Sequence, residues 1–158
     1  MAVIAAHSAE AETARAELSN CLSEHIMVSA TDFGPESIDR RKIEIRIENG
    51  TGTALGGVWV SYAIWADNRP QPIYKGSIRP AATIPGGLLP GETMVSNDHH
   101  FMSDREIEIA RKARTLKLTL DVENAADAQM NGFLQHPKMG SWSEQITQES
   151  CKPIESPK

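Results

Sequence analysis

The segment KIEIRIEN, residues 42 to 49, alternates isoleucine with polar, mostly charged residues at strict period two, a pattern that no amphipathic helix can segregate onto one face. In extended chain Ile43, Ile45 and Ile47 meet a core while Glu44, Arg46 and Glu48 meet water, as in an antiparallel sheet with one wet face. TLKLTLDVEN, residues 115 to 124, repeats the signature with Leu116, Leu118, Leu120 and Val122 inward and Lys117, Thr119, Asp121 and Glu123 outward. Between them GGVWVSYAIWA sets Val58, Val60, Tyr62 and Ile64 against Trp59, Ser61, Ala63 and Trp65. Both of its faces are apolar enough for a central strand with the second face at least partly covered.

Weaker signals fill in the order. Ile26 to Ala30 reads as a first strand ended by the turn Phe33-Gly34-Pro35, and Asn49-Gly50-Thr51-Gly52 as a tight turn. PIYKGSIR suits a short edge strand flanked by prolines, and IPGGLLPGE a looped crossing into ETMVSNDHHF. Glu106 to Ala113 fits a helical turn or extended chain equally. Residues 125 to 140 read as a loop and SWSEQIT as a last short strand. In front of the strands, AEAETARAELSNCLSE has Ala14, Leu18 and Leu22 four apart, the mark of a short amphipathic helix. Its apolar stripe is narrow, so the helix is expected to be detached or on the outside, and deletion of residues 1 to 22 to leave a folded domain.

The fold class is therefore mainly β: an antiparallel immunoglobulin-like β-sandwich of six or seven strands with a short N-terminal helix. The expected organisation is a leader over 1–24, the sandwich over 25–148 and a flexible tail over 149–158. A chain of 158 residues buries enough surface to stand as one domain. Its 21 acidic and 16 basic residues are mixed along the chain, which offers nucleic acid no basic face. No run approaches the roughly 20 apolar residues of a spanning helix. MAVIAAHSAEAE fits the remnant of a secretion signal or a plain leader, and both readings stay open. Cys21 and Cys151 lack the spacing of a zinc or redox motif. If they lay at opposite ends of first and last strands running parallel, on the order of 20 Å would separate them, so they are expected to be unpaired.

The stretches IEIRIENGTG, VWVSYAIW, IPGGLLPGE and LKLTLDVENAADA together resemble the C-terminal β-sandwich domain of uncharacterised bacterial envelope lipoproteins, in which N-G-T-G and P-G-G-L-x-P-G-E turns flank the middle strands. The likeness covers about residues 26 to 133. It implies an immunoglobulin-like fold and a periplasmic or secreted setting, and no catalytic residue, because the family has none established. No clear lipobox precedes Cys21.

The residues that could carry chemistry are few. Asn97-Asp98-His99-His100, with His136 farther on and His7 and His25 near the start, is the best candidate for a metal or small ligand. Adjacent residues of a strand point to opposite faces, however, so His99 and His100 do not readily share an ion. Ser, His and Asp are all present, but G-x-S-x-G is missing, and the Gly-rich turns lack the Lys-Ser/Thr ending of a phosphate loop. Asn49-Gly50-Thr51 matches a glycosylation sequon, which turn chemistry explains better. Trp59 and Trp65 share the parity opposite to Val58 and Val60 and so lie on the outer sheet face, where aromatic rings can form contact patches, or beneath the leader helix. The expected function is a non-catalytic structural or protein-interaction module of the bacterial envelope, with a protein partner and no cofactor. The alternative is a small-ligand or metal-binding domain using His99, His100 and His136.

Overall fold

The computed structural model describes residues 13, 16–78, 86–128 and 148–153. Helix α1, over residues 16–25, leads into strand β1 (Ile26–Ala30). There follow helix α2 (Pro35–Asp39) and strands β2 (Lys42–Asn49), β3 (Leu55–Ala66), β4 (Tyr74–Ile78) and β5 (Thr93–His99). Helix α3 (Asp104–Lys112), strand β6 (Leu116–Asp127) and helix α4 (Gln148–Cys151) complete the order.

The strands form two antiparallel sheets of three, ordered β1-β2-β5 and β4-β3-β6. The parity read from the isoleucines and valines holds. Ile43, Ile45 and Ile47 are at most 1% exposed, and Val58, Val60, Tyr62 and Ile64 at most 4%. Both sets belong to one buried cluster, so each sheet covers the other's apolar face. β3 is central in its sheet and β4 an edge, as their compositions imply. In β6 Leu116, Leu118, Leu120 and Val122 pack against the cluster but are only partly buried. The strand also runs on to Asp127, through residues expected to begin a loop. A register shift between Trp59 and Val60, which face Asn124 and Val122, leaves Glu123 as an extra residue. Such a bulge resets the parity, and consecutive Ala125 and Ala126 are both fully buried.

The helices have local causes. Pro35 opens α2 at the first helical position, where its missing N–H loses nothing, and Ile38 is buried beneath it. Phe33-Gly34-Pro35 is thus a helix entry where the sequence reading expected only a turn. In α3 the Ser103 hydroxyl accepts from the Glu106 N–H at 3.4 Å, and the Glu106 carboxylate accepts from the Ser103 N–H at 2.6 Å. This capping box resolves the ambiguity of 106–113 in favour of helix.

The expectation of unpaired cysteines is overturned. Cys21 and Cys151 are joined by a disulfide with Cα atoms 6.3 Å apart, inside the range such a bond requires. The expectation of free thiols assumed that the ends emerge at opposite poles. Instead α1 and α4 meet at one pole: Ile26 pairs with Asn49, and three residues further on Gly52 lies against the backbone of Ser150 and Lys152. Of the two placements expected for α1, detached or on the outside of the sandwich, the first does not hold, because Leu18, Cys21 and Leu22 are buried in the common cluster. The segment expected to fray from residue 149 is anchored by Cys151, which is fully buried. SWSEQIT and residues 154–158 lie outside the described residues.

Candidate functional site

The two glycine-rich motifs meet in one corner. Asn49 is fully buried, and its amide nitrogen donates to the carbonyls of Thr53 and Leu88, each at 2.8 Å. Its amide oxygen accepts from the Thr51 N–H at 3.0 Å and the Thr51 hydroxyl at 2.7 Å. The backbone is tied as closely: the Asn49 N–H donates to Glu92, the Gly91 N–H to Asn49, and Leu55 and Leu88 exchange both bonds. A Cβ at Gly87, whose φ is +79°, would come within 2.6 Å of the Leu55 carbonyl oxygen, and one at Gly52 would overlap that of Lys152. The glycines allow close approach of backbone to backbone, and the corner has no room for a phosphate. Asn49, buried and with its amide fully bonded, is closed to glycosylation in the folded chain. Replacing it by Ala removes both amide donors and the acceptor of the buried Thr51 N–H, an expected loss of about 1 to 3 kcal/mol, measurable as a lower urea midpoint.

Among the described residues, His25, His99 and His100 stand in different surroundings. His99 is exposed at the end of β5, whereas His100 is 1% exposed. His136 and His7 lie outside the described residues, and the His25 carbonyl accepts from Gly50 in the corner just described. Among the described residues no three His, Cys, Asp or Glu side chains are grouped to hold a metal ion. His100 instead joins Tyr62 and the partly buried Tyr74 in an aromatic row, with ring centroids 6.0 Å apart between the tyrosines and 6.1 Å from Tyr74 to His100. Burial first, then the neighbouring Tyr74 and Asp98, pushes the Tyr62 phenol well above its usual range. Burial lowers the basicity of the His100 imidazole; the Ser37 carbonyl opposes that shift. This row was missed in the sequence because its members lie on β3, β4 and the segment after β5, and only the sheet pairing brings them together.

Trp59 and Trp65 lie half-buried on the outer face of β3, where Trp65 donates its indole N–H to Thr119 at 3.1 Å. The hollow beside α2, of about 390 Å³, holds Asp32, Glu36, Arg40, Lys42 and Glu44. Its charges pair with one another, Arg40 with Glu36 and Lys42 with Glu44 at 3.7 Å.

A second concavity runs between the sheets. β1 and β6 are edges of different sheets and lie side by side, leaving a groove of about 510 Å³. Its apolar lining includes Met27, Val28, Leu120 and Val122, and its charges are Arg46, Glu48 and Asp121. Among the described residues, no strand pairs with the outer edge of β6. That open side explains why inward residues of β6 are partly exposed while those of β3 are sealed. The groove sets a β6 edge that no other described strand pairs with beside an apolar floor, the two elements that bind extended peptide.

No protein-family model matches the sequence, and no curated protein is similar to it at a significant level. No helix among the described residues is long and apolar enough to cross a membrane.

Proposed function

We propose that this chain is a non-catalytic protein-interaction domain of the bacterial cell envelope, immunoglobulin-like in fold, which binds an extended segment of a partner along the β1–β6 groove. The observation that carries the reading is the row Val28, Leu118, Leu120 and Val122, partly exposed beside an edge of a twelve-residue strand that no other described strand pairs with. A partner strand laid on β6 would satisfy its backbone and cover that row, with Arg46, Glu48 and Asp121 selecting for charge at the rim.

The sheet orders support the immunoglobulin-like reading. Sheet β1-β2-β5 matches strands A, B and E of that fold, and β4-β3-β6 matches C′, C and F. The antibody hallmarks are different here. The disulfide joins α1 to α4 instead of B to F, and the inward positions of β3 hold Val, Tyr and Ile where antibodies place a tryptophan. The buried Cys21–Cys151 disulfide supports a periplasmic or secreted setting, since such bonds persist in oxidising compartments. The resemblance to envelope lipoprotein domains points the same way.

The test is photo-crosslinking in the native cell, with a benzophenone amino acid at Met27 in the groove or at Lys75 on the opposite edge. Both positions are exposed, so neither probe disturbs the core. A discrete protein adduct is expected from position 27 and not from position 75. No adduct from 27, or the same adducts from both, would overturn the proposal.

A further inference from the structure

The segment after β5 is fastened to α2, to β4 and to the turn between α2 and β2 through one histidine and its neighbours. The His100 ring Nε2 lies 3.3 Å from the Ser37 carbonyl of α2, so that nitrogen carries the proton and donates. The His100 N–H donates to the Arg41 carbonyl at 3.1 Å, and the Arg41 guanidinium donates to the Met102 carbonyl at 3.3 Å. The Phe101 N–H donates to the Tyr74 hydroxyl of β4 at 3.1 Å. Nδ1 of the same imidazole is buried and has no hydrogen-bond partner. In the neutral ring that atom is a lone pair, and an unpaired acceptor is a tolerable defect. In the protonated ring it becomes a charged, buried N–H with no acceptor among the described residues.

We propose that residues 99–103 form an acid-released latch, closed at neutral pH by neutral His100 and opened when a proton on Nδ1 drives the ring into water. Opening separates the segment from Ser37 and Tyr74 and uncovers Met102, which is 2% exposed in the closed form, next to Phe101, already 82% exposed. The release would create an apolar patch on demand, remote from the β1–β6 groove and independent of it.

The charged surroundings set the balance. Arg41 beside α2 and His99 on β5 oppose a second positive charge, whereas Asp98 on β5 favours it. Asp104 of α3 is paired with Arg41 at 3.5 Å, and the faces from β3 and β4 are the neutral phenols Tyr62 and Tyr74. The sign follows from linkage. The open segment takes up a proton at the ordinary histidine value of 6.5, while the closed one resists it. The closed form is therefore fully favoured above about pH 6.5 and loses ground as pH falls below it, by up to about tenfold in the opening equilibrium per pH unit.

Hydrogen exchange of the full, oxidised chain tests this at pH 7.5 and 5.0, corrected for intrinsic exchange, with peptides covering 98–106 and 42–48 compared. Protection of 98–106 is expected to fall about tenfold or more, with 42–48 unchanged, and the fall to be abolished in His100→Gln, whose amide can donate to Ser37 and does not titrate. Unchanged protection of 98–106 in the wild type, equal losses in both peptides, or an undiminished fall in His100→Gln would overturn the latch. If His100→Gln does not fold, the wild-type imidazole resonance decides. Protonation of His100 at the same midpoint as the loss of protection upholds the latch, and protonation with no loss overturns it.

Discussion

Replacing Cys151 by Ala is expected to lower the unfolding free energy of the oxidised protein by about 3 to 5 kcal/mol. The bond closes a loop with a sequence separation of 130, for which the chain-entropy model gives roughly 5 kcal/mol before native-state strain and residual denatured structure are subtracted. That is a large share of the roughly 5 to 15 kcal/mol of a typical domain. The same bond also holds α1, whose Leu18 and Leu22 belong to the core, so its loss frees a helix too short to persist alone. Urea unfolding with and without reductant checks this: reductant should bring the wild type down to the variant's midpoint and leave the variant unmoved. A variant within about 1 kcal/mol of the oxidised wild type would show that the termini are held by packing alone.

Ile45→Ala and Leu118→Ala are expected to differ, although both residues have the same inward parity. Ile45 is wholly buried in the middle strand of its sheet and should lose about 3 to 4 kcal/mol, the transfer term plus a cavity that its packed neighbours cannot fill. Leu118 lies on β6 beside the open groove and is already partly exposed, so its truncation should cost about 1 to 2 kcal/mol. Equilibrium unfolding of the two variants under one set of conditions gives both numbers. Equal losses would mean that the β6 side is as closed as the β2 side, and the case for an open binding edge would fail.

Period-two patterning made the sheets legible because each face of β2 and β3 has one environment along its whole length. Ile43 to Ile47 and Val58 to Ile64 could be assigned inward from parity alone. It could not distinguish sealed from half-sealed, since the exposure of Leu118 depends on a neighbour strand and the parity of Leu118 does not. The disulfide was illegible for a related reason. Its two ends approach only because α1 and α4 both pack at the Asn49 corner, and two lone cysteines carry no sign of that. Asn49, Thr51, Gly52 and Gly87 were recognised as turn residues from local chemistry. That the two turns interlock into one buried polar node is a tertiary fact. His100 illustrates the limit for the site: the sequence drew attention to a His-His pair, and in the structure His99 is exposed at the end of β5 while His100, just beyond it, is buried. The partner that matters to His100, Ser37, is 63 positions away.

The closed architecture and the proposed envelope setting both rest on Cys21–Cys151. Intact mass of the chain isolated from its native cells, alkylated at lysis, unfolded and alkylated again without reductant, tests them most directly. The expected result is a monomer mass with no alkyl group added. Two alkylated thiols on the natively produced chain would contradict both the stapled termini and the oxidising compartment.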